Sequence, residues 1–216
     1  MKFSSFLHDL TTATAIYDMD YNCFSTGQLQ SKEWLIEVFD DVRRTKNIHL
    51  GTTFILCGWY GILAAMMFLK YQMDCKIRSF DIDPACEKIA DQINKGYSSD
   101  NWRFKAITQN IYDINFEKHS WQCWSNKNNR MSYPIVDKPT IIINTACEHT
   151  DSKWFEKIPN GKIVILQSND SFEEEGHINA VANLDDFTSM YPLSEIYYAG
   201  QLELEKFTRF MLIGVK

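Results

Sequence analysis

The sequence predicts an α/β fold: a mostly parallel sheet of about seven strands with helices on both faces and an antiparallel strand pair at the C-terminal end. Three observations carry this. Short apolar runs alternate with stretches of helical character along most of the chain. The runs at 53–57 and 140–144 are apolar almost throughout, which is how strands buried on both faces read. The last two strand-like runs, 196–199 and 208–214, follow one another over a moderate connection with no helix between them, as an antiparallel pair does.

Composition bounds the rest. At 216 residues the chain has room for one α/β domain of ordinary size, and its 45% apolar fraction supplies a packed core. A net charge of −6 argues against a broad basic surface for nucleic acid. Nowhere is there a run of about 18 apolar residues, so no membrane span is expected, and the N-terminus lacks the apolar core of a secretion signal. The six cysteines form no CxxC and no His/Cys cluster with metal-ligand spacing, so reduced thiols in a cytoplasmic protein and no metal are expected.

Taken in order, residues 1–50 read as a helical segment packed on the core, ahead of a ligand-binding domain at 51–216. No element is assigned within 1–30. Ser31 is placed to cap a helix running to about Arg44, with Trp34, Leu35, Val38, Phe39 and Val42 on one face. Lys32 at its start reads as a solvated lysine, with contact to a ligand carboxylate as the alternative. Strand 53–57 runs into Gly58-Trp59-Tyr60-Gly61, and strong helix formers follow over 62–69. A second strand, 76–81, ends in an acid. Pro84 then suits the first turn of a helix to about 94, closed by Gly96. The alternation at 102–107 reads as a third strand. Residues 118–138 are irregular, a functional lid or a mobile loop, whose Trp121 and Trp124 pack on the sheet or bind a ligand. Strand 140–144, a short helix near 152–157, a Pro159-Asn160-Gly161 turn and strand 162–167 follow. An acidic loop at 168–179 precedes a helix capped by Asn183 and stopped by Pro192.

Strand, glycine turn and helix aim backbone N–H groups at a ligand, and Gly58 and Gly61 are able to adopt positive φ there. Asp81 lies 81 − 61 = 20 residues beyond Gly61, the spacing at which a strand-end acid accepts hydrogen bonds from two ribose hydroxyls. The pattern is GxxG and not GxGxxG, which argues against a nicotinamide cofactor. In a parallel sheet the ligand sits beyond the carboxyl ends of the strands, and Gly58, Gly61, Asp81, Asn110 and the stretch from Asn144 to His149 all fall at such ends.

On these residues the chain resembles the Rossmann-like, class I S-adenosylmethionine-dependent methyltransferases over roughly 50–216. CGWYG, with Gly58, Trp59 and Gly61, matches their first motif, and FDIDP, with Asp81 and Ile82, their second. TQNIYD puts Asn110, followed by Ile111, where the family usually has an Asp for the adenine amine. NTACEH, beginning at Asn144, matches the motif near the methyl group, and PNGKIVIL the turn and fifth strand. The GWYG and NTACEH forms resemble uncharacterised methyltransferase-like proteins, including ones carried by tailed bacteriophages, which would place the chain in the cytoplasm of a host cell.

The resemblance implies S-adenosylmethionine as cofactor and methyl transfer to an acceptor. Glu148 and His149 are then the candidate proton acceptors, against a structural use as helix cap or backbone partner; His177, on the acidic loop, is a further candidate. Cys147 has no basic partner but His149 and is disfavoured as a nucleophile. The chain has no Asn-Pro-Pro-Tyr or Asp-Pro-Pro-Tyr string and no Pro-Cys pair of the nucleic-acid enzymes. A small molecule or a protein is therefore the favoured acceptor, with nucleic acid left open by the Trp121–Tyr133 loop. Aminopropyl transfer, cofactor cleavage and a non-catalytic subunit of an assembly such as a phage particle are the competing readings.

Overall fold

A computed structural model describes residues 3–71, 75–125 and 129–216. The elements run α1 (Phe3–Ile16), a 3-10 turn (Tyr21–Phe24), α2 (Thr26–Thr45), β1 (Thr52–Leu56), α3 (Ile62–Tyr71), β2 (Lys76–Asp81), α4 (Pro84–Ile93), α5 (Lys95–Ser98) and β3 (Phe104–Thr108). Four short strands follow, β4 (His119–Trp121), β5 (Trp124–Ser125), β6 (Arg130–Met131) and β7 (Ile135–Asp137). The chain closes with β8 (Ile141–Asn144), α6 (Lys153–Glu156), β9 (Ile163–Asn169), α7 (Leu184–Met190), β10 (Glu195–Glu203) and β11 (Thr208–Val215).

The main sheet has seven strands in the order β10-β11-β9-β8-β1-β2-β3. β3, β2, β1, β8 and β9 pair in parallel, and β11 runs antiparallel to both β9 and β10. This is the arrangement expected from the chain order, and its reason is visible in the strands. Ile55, Ile141, Ile143 and Ile165 pack with Leu35, Phe39, Leu63 and Met67 of α2 and α3 on one face. Phe54, Leu56, Ile142 and Leu166 pack with Trp154 and Phe155 of α6, Phe187 of α7 and Tyr191 just after it on the other. Alternate residues of each strand thus face two apolar layers, so no polar face is needed.

Local differences from the sequence reading have local causes. Ser31 is not a cap: α2 begins one turn earlier, and the Ser31 Oγ donates to the Gly27 carbonyl inside the helix at 2.7 Å. The preceding stretch, left without an element, contains α1, whose Ala13 joins Ile62, Ala65 and Ile89 in a third apolar cluster over α3 and α4. α4 ends near 94 as expected, but its C-cap is Asn94 and not Gly96: the Asn94 amide bonds the carbonyls of Ala90 and Gly61 and the chain turns directly into α5.

The 118–138 segment, apart from 126–128, which lie outside the described residues, is neither unstructured nor at the site. β4 pairs with β7, and β5 with β6. The segment is held to β2 by a buried ion pair, Arg78 Nε to Asp137 Oδ2 at 2.6 Å, and Trp121 Nε1 donates to the same oxygen at 2.7 Å. Trp121 is buried by this contact, whereas Trp124 is 55% exposed. Among the described residues no helix is long and apolar enough to cross a membrane, and no disulfide joins two cysteines.

Candidate functional site

β1 is flanked by β2 on one side and β8 on the other, both parallel to it, and the connections from β1 and β8 leave in opposite directions. That is a topological switch point, where a crevice opens beyond the carboxyl ends. A cavity of ≈ 940 Å³ lies there, lined by the turn after β1, the end of β2, the turn after β8, the end of β9, the start of α2 and the β10–β11 connection. The volume stands at the upper end of the range for small-molecule sites.

The glycine turn is built differently from the sequence expectation. Positive φ falls on Cys57 (50°), Trp59 (48°) and Gly61 (69°), and not on Gly58. Gly58 is required for space: a Cβ there would stand 1.9 Å from the Ser79 Oγ on β2, and its N–H donates to the Phe80 carbonyl at 2.9 Å. Gly61 lies beneath α4, where a Cβ would meet Asn94 Nδ2 at 2.9 Å and Ala90 Cβ at 3.1 Å. It lets α3 and α4 close together and does not line the cavity.

Asp81 stands beside that turn. Its Oδ2 accepts the Trp59 N–H at 2.8 Å and its Oδ1 the Asp83 N–H at 3.1 Å. Gly58, Trp59 and Asp81 all line the cavity, joined by Thr145, Ala146, Glu148 and His149 from the turn after β8. Ile82 is 70% exposed beside Asp81. Asn110 caps the 3-10 turn after β3, accepting the Tyr112 N–H at 3.0 Å. Ile111 is buried with Ile114 and Phe116 in the core, and Asn144 is buried with its Oδ1 on the Ala146 N–H at 2.9 Å. Ile82, Asn110, Ile111 and Asn144 are therefore not among the residues lining this cavity. Asn144 shapes the β8 turn from behind.

The two candidate proton acceptors differ in environment. Glu148 is buried, and its Oε1 accepts from Arg209 Nη1 and from Asn169 Nδ2, each at 2.8 Å. Its Oε2 is buried with no partner among the described residues. His149 is exposed, and its Nδ1 meets the Gly176 carbonyl at 3.1 Å. The ring of His177 lies edge-on to that of His149, with centroids 4.5 Å apart. Cys147, by contrast, is fully buried, and desolvation holds its thiol well above the usual range, so it is no nucleophile. Burial also pushes the Cys57 thiol up to about 12.

Two cationic groups of the site carried little or no signal in the sequence. Lys32 is not solvated: it is 9% exposed, lines the cavity, and donates to the Gln28 Oε1 and carbonyl oxygens. Burial, followed by the nearby Arg209 charge, lowers its ammonium to about 8. Arg209 arrives from β11, the last strand, and is 2% exposed. Six acids (Asp20, Asp81, Glu148, Glu174, Glu175, Glu205) and three bases (Lys32, Lys206, Arg209) line the cavity, which leaves it net acidic.

No family model matches the chain, and no curated protein matches it. Solved structures do. Magnesium protoporphyrin IX methyltransferase from Synechocystis PCC 6803, solved with bound S-adenosylmethionine, is similar at a TM-score of 0.61 and 10% identity, over 99% of this chain and 92% of its own. N-methyltransferase NodS from Bradyrhizobium japonicum WM9, in complex with S-adenosylhomocysteine, is similar at 0.58 and 10% identity, over 98% and 97%. A geranyl diphosphate methyltransferase, in complex with geranyl diphosphate and sinefungin, is similar at 0.55 and 10% identity, over 87% and 77%. The fold of this chain is that of the class I methyltransferases.

Proposed function

We propose that the protein is an S-adenosylmethionine-dependent methyltransferase, acting on a small-molecule or protein acceptor in the cavity at the switch point. The observation that carries this is Asp81: a strand-end carboxylate joined to the glycine turn by the Trp59 N–H at 2.8 Å, and open to a cavity of ≈ 940 Å³. A carboxylate has about four acceptor positions. Two of those on Asp81 hold backbone N–H groups, which leaves capacity for the two hydroxyls of a ribose. The residues therefore fit an adenosyl group. The net acidic lining suits a cofactor that carries a sulfonium charge and disfavours a polyanionic acceptor.

When bound, the cofactor supplies an electrophilic methyl group. The chain's own part is to bind, orient and handle a proton. Gly58 keeps the turn flat against β2 so that the backbone of Trp59 borders the ligand. Asp81 holds the ribose, while Asn110, beyond the end of β3, keeps its Oδ1 on the Tyr112 N–H outside the cavity lining and meets an adenine edge only by turning its amide into the cavity. Lys32 supplies a positive group for a ligand carboxylate. Glu148 and His149 take the proton of an acceptor that arrives protonated, since both line the cavity beyond β8. Orientation of the two reactants supplies much of the acceleration in such a displacement. Residues 1–50 serve as a helical cover, since α2 contributes Lys32 and the preceding turn Asp20 and Asn22 to the wall. Two of the similar structures are named for small substrates, magnesium protoporphyrin IX and geranyl diphosphate, which supports a small acceptor.

Calorimetry of the purified protein with S-adenosylmethionine tests the reading, followed by product analysis with candidate acceptors. Micromolar binding and formation of S-adenosylhomocysteine are expected. Methylthioadenosine as the product would replace methyl transfer by aminopropyl transfer or cofactor cleavage, and absence of binding would overturn the cofactor assignment.

A further inference from the structure

His177 has no part in the proposed methyl transfer, yet the fold carries it to Glu148 and His149. One ligand atom from each of the three lies within 4.8 Å of those of the other two. We propose that Glu148, His149 and His177 bind a divalent transition-metal ion in the wall of the cavity.

Four observations converge on this. The Oε2 of Glu148 belongs to a residue that is 3% exposed and has no partner among the described residues, although Arg209 and Asn169 both bond the other oxygen at 2.8 Å. A buried carboxylate oxygen left open in this way points to a ligand. Both imidazoles are oriented from behind: His149 Nδ1 meets the Gly176 carbonyl at 3.1 Å, and His177 Nδ1 the Ser171 carbonyl at 2.6 Å. A carbonyl only accepts, so each Nδ1 carries the proton and each Nε2 keeps its lone pair, the arrangement found behind metal-bound histidines. The segment that bears His177 is also built onto the Glu148 turn. The N–H groups of Ile178 and Asn179 both donate to the Glu148 carbonyl at 2.9 Å, and Asn179 Nδ2 donates to the Thr150 carbonyl at 3.0 Å. Finally, all three residues line the cavity, so an ion there keeps positions open to a bound molecule.

Two imidazoles and one carboxylate select zinc, iron(II), manganese or cobalt over calcium and magnesium, which prefer all-oxygen sets. Ligand atoms around a tetrahedral zinc stand roughly 3.4 Å apart, from metal–ligand distances near 2.1 Å. Closure therefore needs a movement on the order of 1 Å in the 171–177 segment. The proposal rests on the methyl-transfer reading and deepens it at one point only: an ion held by Glu148, His149 and His177 would lower the pKa of an acceptor oxygen bound to it, whose proton would pass to solvent, so Glu148 and His149 would serve as ligands in place of accepting that proton directly.

The test uses metal-stripped full-length protein. Zn²⁺ is titrated in competition with a chromophoric chelator, and Co²⁺ is added separately to read its d–d absorption. One Zn²⁺ per chain is expected, with Co²⁺ bands of a low-symmetry site. His177→Ala and His149→Ala should each weaken Zn²⁺ binding tenfold or more and remove the Co²⁺ bands, while His8→Ala, on exposed α1, leaves both unchanged. Zinc binding that is equal in the wild type and the His149→Ala/His177→Ala double variant would overturn the site. S-adenosylhomocysteine calorimetry in the presence of chelator is run on the same samples. It reports the adenosyl site and the fold without the metal, so failure of the metal site and failure of the methyltransferase reading give different results.

Discussion

Replacing Asp81 separates ligand binding from the integrity of the turn. Its carboxylate accepts the Trp59 N–H at 2.8 Å and the Asp83 N–H at 3.1 Å, and in the proposed complex it also accepts two ribose hydroxyls. Hydrogen bonds to a charged group contribute about 1.5–3 kcal/mol each, so Asp81→Ala should weaken S-adenosylhomocysteine by roughly 3–6 kcal/mol. At about 1.4 kcal/mol per decade this is a loss of roughly a hundredfold to ten-thousandfold. The same change leaves two backbone N–H groups without their acceptor, one of them on Trp59, a non-glycine residue at φ 48°. A stability loss of about 2 kcal/mol accompanies it. Asp81→Asn is the sharper variant. Its amide oxygen still satisfies the Trp59 N–H, but its NH₂ group accepts neither from a hydroxyl nor from the exposed Asp83 N–H, which turns to water. A stability loss smaller than that of Asp81→Ala, with about ten- to hundredfold weaker binding, is expected. Calorimetry with the product avoids turnover, and thermal unfolding on the same samples reports the fold. Asp81→Ala that remains folded and binds within threefold of the wild type would refute the assignment of the ribose to this carboxylate.

Two further outcomes follow from buried charges. Lys32, lowered to about 8 from an ordinary 10.5, resists protonation in the folded chain. The gap corresponds to roughly 3 kcal/mol of destabilisation, fully present below pH 8 and relieved as pH rises from 8 towards 10.5, because there the unfolded chain holds the proton that the folded chain has released. Lys32→Met should therefore raise the melting temperature at pH 7 by about 5 °C or more, lose that advantage above pH 10, and weaken any ligand that carries a carboxylate. An unchanged melting temperature at pH 7 would show that the ammonium is solvated after all. Asp137→Ala removes the partner of buried Arg78 and of the Trp121 indole, and should cost about 3–5 kcal/mol in chemical denaturation. Since no described residue of the 118–138 segment lines the cavity, ligand affinity of the folded fraction should stay unchanged; a large fall in affinity would mean that this segment reaches the site.

Local chemistry already specified the sheet and one half of the site. Continuous apolar runs such as 141–143 can lie only between two layers, and the Gly58–Gly61 break with an acid at 81 is a short-range pattern, so both are readable without coordinates. The function of the glycines was less legible. Positive φ sits on Cys57 and Trp59, while Gly58 is needed because β2 passes so close that a Cβ would reach Ser79. That requirement comes from the neighbouring strand. The other half of the site exists only in three dimensions. Lys32 reads as a surface lysine on its own helix and becomes buried because α2 packs beside the start of β11, where Arg209 stands. Arg209 reaches Glu148 because β11 pairs with β9, and His177 reaches His149 because the Glu148 carbonyl holds the N–H groups of Ile178 and Asn179. Periodicity and turn chemistry act over a few residues, so they determine which strands form and where each one ends. Which charges meet beyond those ends depends on strand order and loop closure, and these are settled only when the whole sheet is assembled.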